Sequence, residues 1–573
     1  MSYDGITMAA VCREMNQQLV GARVEKIYQP RGLEIAMHIR TRQDQFLLLC
    51  SADSQLPRVH LTETKPENPQ VPPAFCMLLR KHLHGARILS VEQTGLERVL
   101  TITFRSFDEI GNETKKQLVC EIMGKHSNII LTTQAGNGTP YILGAVKTVT
   151  ENMSRHRTVM ANEPYIHPPG QEKLSLFSLD EEELAQKLLA VEDQAPERML
   201  VAAVMGLGIH LAREIVWRAA GGDMAHPLDM VRALTVELRQ LAETVNTGCF
   251  SPCILRRPGS KPLFSPILLK SQPREALTIY PTVNEGLDTC FREILHTRTE
   301  GSLRGQLSQV IKAALTRAEK KLRLQEAELK EMEGADVYRI NGELLTASIH
   351  LIRPGMREVC VPNYYSETQD AIQISLDPAL SPQANAQRYF KKYRKLKDGE
   401  KILTRRIRET REELTYLDSI AAAAEHADLE SLREIRDEME QAGLIRTKAE
   451  KKKSTDSVSI PLHFVSVNGI DIYVGRNNRQ NDHLTLKFAS PRDTWLHTKD
   501  IPGAHVIVRD PSPPEETLLE AAKLAARFSR AAASANVPVD YTLVKHVKKP
   551  KGAKPGMVIY GHQKTVFVTP DPI

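Results

Sequence analysis

The stretch IKAALTRAEKKLRLQEAELKEM, Ile311 to Met332, sets the architecture of the chain. In it Ile311, Leu315, Ala318, Leu322, Gln325, Leu329 and Met332 recur at alternating spacings of four and three, the heptad seam that keeps one stripe of a helix against a partner. A second stretch answers it: Tyr389, Tyr393, Leu396, Leu403, Ile407, Thr410, Leu414 and Leu417 hold the same register among Lys, Arg and Glu. The arms extend over about Leu303 to Met332 and Tyr389 to Ala424. Between them Asp336 to Leu380 loses the period and reads as short strands at Val337 to Ile340, Ile349 to Ile352 and Glu358 to Val361. The expectation is an antiparallel helical hairpin, tipped by a small β-rich knob, that holds two globular ends apart. Two ordinary helices of a globular domain could carry the same stripes.

A chain of 573 residues can bury several cores, so three or four domains are expected. The opening MSYDGITMAAVCREMN carries Asp4, Arg13 and Glu14 where a secretory signal needs an unbroken apolar core. The longest apolar stretch, around Met199 to Ile209, is far shorter than the roughly 20 residues that span a bilayer. Its eight cysteines are scattered without a CxxC pair, which points to reduced thiols and a cytoplasmic protein. The formal net charge is +6, and Val458 to the end carries 15 Lys and Arg against 10 Asp and Glu. That local excess points to an anionic partner, of which nucleic acid is the commonest.

The expected fold class is α+β and multidomain. Gly5 to Leu19 reads as an amphipathic helix stopped by Gly21. Alternation at Leu33 to Arg40, then Phe46 to Cys50 and Arg58 to Leu61, gives strands, and Ala74 to His84 a helix packed on them. A second strand set starts at Arg98. Leu100, Ile102 and Phe104 mark one strand and Leu118, Cys120 and Ile122 its return, about a loop centred near Ile110. That symmetry puts Glu97 and Arg98 on one sheet rim with Glu121, Ile122, Met123, Gly124 and Lys125. An acid, an arginine, a lysine and a glycine there could meet a phosphodiester backbone and a base edge; they also fit a solvated loop edge.

From Ser175 to Asp223 the pattern is helical. Gly206-Leu207-Gly208 resembles the turn of a helix-hairpin-helix, whose amides can meet a phosphate, and equally fits a tight turn between buried helices. Pro252 to Pro281 reads as extended, with small strands. Lys448 to Ser457 reads as a polar linker. The last domain starts with strands at Phe464 to Val467, Ile470 to Val474 and Leu484 to Phe488. It is dense in groups suited to RNA: Arg476, Asn477, Asn478 and Asn481 in one turn, Trp495, His497, Lys499 and His505 after it, with Asp493 placed to orient His497. The loop KKPKGAKPG adds Lys548, Lys549, Lys551 and Lys554. Rings stack on unpaired bases, amides read base edges and lysines meet phosphates. A solvated basic face with Trp495 in the core would use the same residues. The histidines lack partners at metal-ligand spacing, and HExxH, GxSxG and dinucleotide fingerprints are missing. The reading is therefore a binding protein, not an enzyme, with neither metal nor cofactor.

Several stretches together resemble the NFACT family: YDGITM at Tyr3 to Met8, EIMGKHSNIIL at Glu121 to Leu131, ANAQRYFKKYRKLK at Ala384 to Lys397, GRNNRQND at Gly475 to Asp482, DTWLHTKDIPGAHV at Asp493 to Val506 and VKKPKGAKPGMVIY at Val547 to Tyr560. They cover the chain from end to end. The resemblance implies a glycosylase-like N-terminal domain (residues 1–174), a helix-hairpin-helix domain with a Pro-rich extension (175–287), a coiled-coil hairpin with its tip (288–446) and an RNA-binding domain (458–573). It implies a protein, monomeric on the ribosome, that binds large subunits obstructed by peptidyl-tRNA and recruits alanyl-tRNA for alanine tailing of stalled chains. Its tRNA-contacting pair, Asp-Arg in the family, matches Glu97 and Arg98, and the family's tailing region matches Glu121 to Met123. The related DNA glycosylases use a proline after the initiator methionine; Ser2 stands there, so their activity is not implied. Relatives described as fibronectin- or fibrinogen-binding adhesins supply the alternative reading.

Overall fold

The computed structural model describes residues 3–107, 111–134, 139–190, 195–221, 227–366, 370–446 and 460–571; the expected linker at Lys448 to Ser457 lies outside them. The chain is α+β and divides into two compact units, Met1–His296 and Thr297–Ile573.

In the first unit the opening helix is Gly5–Leu19, capped by Asp4, whose carboxylate accepts from the Thr7 amide. It lies on a nine-stranded antiparallel sheet of β1 (Arg23–Tyr28), β2 (Glu34–Arg40), β3 (Gln45–Ser51), β4 (Arg58–Leu61), β5 (Arg87–Gln93), β6 (Val99–Phe107), β7 (Glu113–Glu121), β8 (Asn128–Gln134) and β9 (Pro140–Ala145). The order is β4-β3-β2-β1-β5-β6-β7-β8-β9, two meanders joined where β1 meets β5. Alternation along β2, β6 and β7 sends Ile35, Met37, Ile102, Phe104 and Leu118 to one side. There they close on Met8, Val11, Met15 and Leu19 of the helix.

Four helices follow, Glu181–Leu189, Pro196–Ala203, Ile209–Ala219 and Pro227–Thr247, around Leu200, Leu211, Ile215 and Leu238. Gly206 turns the chain at φ 87°, a conformation L side chains avoid. The Ile6 amide donates to its carbonyl at 3.2 Å, and the Gly208 amide donates to Asp4 Oδ2 at 2.9 Å. The Pro-rich segment forms the small strands Cys253–Leu255, Leu263–Ser265 and Leu277–Ile279. The long helix Val283–Met332 begins on Glu14, whose carboxylate accepts from the amides of Val283 at 2.6 Å and Asn284 at 3.0 Å.

In the second unit that helix is met by Pro382–His426. Leu307, Ile311, Ala318, Leu403, Ile407 and Leu417 are buried along the seam. Thr410 Oγ1 donates to Gln325 Oε1 at 2.9 Å, while Lys321–Glu413 at 3.3 Å and Arg411–Glu326 at 2.7 Å flank it. The helix Leu429–Gln441 folds back on the base, burying Leu432, Ile435 and Met439 against Ile311, Tyr416 and Ile420.

The tip differs from the sequence expectation. Val337 to Ile340 lies in the helix Ala335–Ala347, Ile349 to Ile352 is a single tight turn and the bend leaving it, and only Glu358–Pro362 is a strand, paired with Ala371–Ser375. The helix continues because Leu344, four residues after Ile340, and Leu345 bury against the hairpin. Gly342 lets it approach the return arm, where a Cβ would meet the Phe390 ring at 3.0 Å.

The last domain is a six-stranded antiparallel sheet in the order Leu462–Val465, Asp471–Val474, Val506–Val508, Thr494–Thr498, Val537–Leu543, Lys564–Val568. The helix Glu515–Arg527 covers one face, with Ala522 and Ala525 against Val506, Val508 and Val539. Leu484 to Phe488, read as a strand, is a wide helical turn continuing the helix Asn478–His483. Asn477 starts that helix by accepting from the Gln480 amide at 2.9 Å, so the alternation of LTLKF is overridden by its neighbour.

Candidate nucleic-acid interfaces

The hairpin β6–β7 pairs Val99 with Glu121, and the Ile122 amide donates to the Arg98 carbonyl at 2.8 Å. Glu97 and Arg98 thus share one rim with residues 121–125, as the symmetry about residue 110 requires. Arg98 and Lys125 are exposed, and Glu97, Met123 and Gly124 half-buried. Gly124 sits at φ 60° and opens the tight turn Gly124–His126, which lifts Lys125 and His126 into solvent. Ser127 Oγ accepts from the Met123 amide at 2.8 Å and fixes that turn.

Two of the expected rim residues face inward instead. Ile122 is buried in the core. Glu121 is fully buried, its two oxygens taken by Arg157 at 2.7 and 2.5 Å and by the Tyr165 hydroxyl at 3.0 Å. A carboxylate this buried, and paired with Arg157, is out of reach of a base edge. The segment that brings Arg157 and Tyr165 also passes the rim at Gly170, close to the Glu97 carboxylate. It carries Lys173, whose pKa is lowered first by burial and then by the Arg98 cation. Arg157, Tyr165 and Lys173 were not found from sequence, because residues 149–174 have no period to place them. The rim presents Arg98, Lys125 and His126 to solvent, with the half-buried Lys173 and Glu97 beside them. Arg98, Lys125 and Lys173 make it basic, and Glu97 adds an acceptor. The Gly206-Leu207-Gly208 turn has its Gly208 amide on Asp4, so that amide is not offered to a phosphate.

In the second unit the asparagine turn is buried and spent. Asn477 Nδ2 donates to Glu434 at 2.5 Å; Asn478 Nδ2 donates to Ser419 at 2.9 Å and Glu438 at 3.1 Å; Asn481 Oδ1 accepts from the His505 amide at 3.1 Å. Arg476 is paired with Asp428 and donates to the Ile460 carbonyl at 2.7 Å. The turn therefore fastens the last domain to the base of the helical hairpin; its amides do not reach base edges. Glu438 is buried there with Tyr416 donating at 2.8 Å, and burial raises its pKa.

Trp495 is fully buried and offers no face to a base. His497 lies parallel to it, 5.7 Å between ring centres and 12° between planes, and burial lowers its pKa to about 4. His505 is buried, its Nδ1 2.7 Å from Thr485 Oγ1. Asp493 holds Arg509 at 2.7 Å and the Ser490 amide at 2.8 Å, not His497. Of the loop lysines, Lys549 is half-buried and paired with Asp482, whereas Lys548, Lys551 and Lys554 are exposed, Lys554 with its ammonium 4.3 Å from the Tyr416 ring centre.

Among the described residues no cluster of three or more His, Cys, Asp or Glu is arranged to hold a metal, and no helix is long and apolar enough to cross a membrane.

Comparisons with known proteins agree over the whole chain. The family profile for the NFACT N-terminal and middle domains matches residues 4–457, and that for the NFACT protein RNA binding domain matches residues 461–561. The Rqc2 homolog RqcH of Bacillus subtilis is 37% identical over 579 residues, covering 100% of this chain and 98% of that protein. The Rqc2 homolog RqcH of Streptococcus suis is 35% identical over 572 residues, with 100% and 98% covered. The human ribosome quality control complex subunit NEMF is 30% identical over 130 residues, 23% of this chain and 11% of that protein. Among solved structures, the N-terminal part of the fibronectin/fibrinogen-binding protein from Streptococcus suis is 28% identical, with 51% of this chain and 99% of that one covered at a TM-score of 0.42. The C-terminal part of the same protein is 36% identical, with 48% and 96% covered at a TM-score of 0.39. With both profiles in sequence order and relatives aligned from end to end, the chain belongs to the NFACT family.

Proposed function

We propose that this protein is a ribosome quality control factor that binds large ribosomal subunits obstructed by peptidyl-tRNA and recruits alanyl-tRNA, promoting alanine tailing of the stalled chain. The observation that carries this reading is the relationship, over the full length, to proteins named as Rqc2 homologues. Two features of the chain are compatible with it. The rim of Arg98, Lys125, His126 and Lys173 can hold a phosphodiester backbone, with Glu97 left as an acceptor for an amino group on a base. The hairpin arms run about 30 residues, which at roughly 1.5 Å per residue reach about 45 Å.

The protein supplies grip and orientation, and the ribosome forms the peptide bonds. The test is co-sedimentation of the full chain with large subunits carrying peptidyl-tRNA, sequencing of the tRNA that copurifies, and mass spectrometry of the nascent chain's C-terminus. Salt-sensitive binding, enrichment of alanyl-tRNA and added alanines are expected. Subunit binding without alanyl-tRNA would overturn the recruiting role.

A further inference from the structure

The last domain's sheet has a row of residues in register across it: His463, Tyr473, Ile507, Trp495 and Thr542. All five lie on the face opposite the helix Glu515–Arg527, because Leu496, Val506 and Val508 point toward that helix. The middle of the row is roofed. Leu484, Val544, Val547 and Tyr560 close over Trp495 and Ile507. The roof ends at Phe488, whose ring meets Tyr473 edge-on at 4.9 Å. Beyond it the His463 ring stacks on Tyr473, 4.8 Å between centres and 22° between planes, and His463 is exposed. The Arg509 guanidinium lies 4.2 Å from the Phe488 ring centre and 5.6 Å from that of Tyr473, held by Asp493 and the Phe488 carbonyl.

We propose that His463, Tyr473, Phe488 and Arg509 form a stacking platform for unpaired RNA bases. This rests on the RNA-binding reading of the domain. Flat rings and a guanidinium plane side by side are what base stacking uses; His463 is exposed and Tyr473, Phe488 and Arg509 are half-buried. The acids at the platform are already spent: Asp471 lies 2.7 Å from His463 Nε2, and Asp493 is on Arg509. Lys487 and Arg492, both exposed, border Phe488 and Asp493 in sequence and can meet phosphates. The strand Leu462–Val465 is a sheet edge, so the platform opens outward at His463.

The test measures binding of the full chain to a labelled 12-nucleotide single-stranded RNA and to the same RNA annealed to its complement, by fluorescence anisotropy. The wild type should prefer the single strand. His463→Ala should weaken single-strand binding about fivefold or more, the low end for losing one stacked base, with less than about twofold effect on the duplex. His463→Phe, which keeps a ring without the imidazole nitrogens, should restore it, and thermal melts should show both variants folded. Equal affinities of His463→Ala and wild type would overturn the proposal. That is also the result expected if a protein strand, bonding through its backbone, were the occupant of this edge. Failure of His463→Phe to restore binding would overturn it too. Wild type that sediments with large subunits yet shows no single-strand preference removes the platform and leaves the ribosome reading intact. Single-strand preference without subunit binding does the reverse.

Discussion

The backbone amide of Ile122 donates to the carbonyl of Arg98, so the two ends of one hairpin are locked at the same rim while their side chains part, Ile122 into the core and Arg98 into solvent. Replacing Glu97 and Arg98 together by alanine should therefore remove contacts without disturbing the pairing. Alanyl-tRNA copurifying with subunits is expected to fall at least tenfold, with subunit association and melting temperature nearly unchanged. Undiminished alanyl-tRNA would remove the rim from tRNA recruitment.

Glu121 should behave differently. Arg157→Ala leaves its buried carboxylate without its cation, which costs about 3–5 kcal/mol and should lower the denaturation midpoint of the first unit sharply. Glu121→Gln keeps an acceptor for Tyr165 and is expected to cost less. Urea unfolding of the two variants, compared before any activity is measured, checks the order. If Arg157→Ala melts like wild type, the pair is not holding the rim.

The loop lysines divide into two classes. Lys548→Ala with Lys551→Ala should weaken RNA binding across sequences and reduce the slope of log affinity against log salt by about 1.4–1.8, two phosphate contacts' worth. Lys549→Ala should instead loosen the loop, since Asp482 loses its cation and is left with the Gly556 amide. A salt titration of each variant separates the effects, and an unmoved slope in the double variant would show that the loop does not meet phosphate.

Glu438 gives the junction between the last domain and the hairpin base a pH dependence. Its folded pKa lies above the ordinary 4.5 because it is buried, opposed by hydrogen bonds from Asn478 and Tyr416. A raised carboxyl binds its proton more tightly folded than unfolded. Its contribution is therefore full below pH 4.5 and declines as pH rises through the raised value. Glu438→Gln should flatten that decline. Urea midpoints of the second unit from pH 4 to pH 8 test this, and parallel curves for variant and wild type would contradict it.

Much of the fold was legible because periodicity is local. The seam from Ile311 to Met332 and the alternation on either side of residue 110 each state their own geometry. The tip was misread because Val337, Tyr338 and Ile340 are residue types that favour strands, while the helix shows only when Leu344 and Leu345 are counted. Arg157 and Tyr165 could not be found, since their partner Glu121 is 36 and 44 residues away and nothing periodic points to it. The asparagine turn and Trp495 looked like RNA readers by composition. Burial decides otherwise, and burial is a property of the neighbours. The ring pair His463 and Tyr473, by contrast, sits across a hairpin whose register a sequence reader could have counted.

Glu14 starts the helix that begins 269 residues later, and Asp4 closes the turn at Gly208. These bonds give the protein's own synthesis a schedule. At about 5–20 residues per second, the opening helix emerges and waits some tens of seconds for Val283 before its last partner exists. During that interval the buried flank of Met8, Val11 and Met15 has only part of its cover. A pause in translation anywhere before residue 283 lengthens the exposure, so the gene for this chain should be unusually sensitive to slow decoding in its first half.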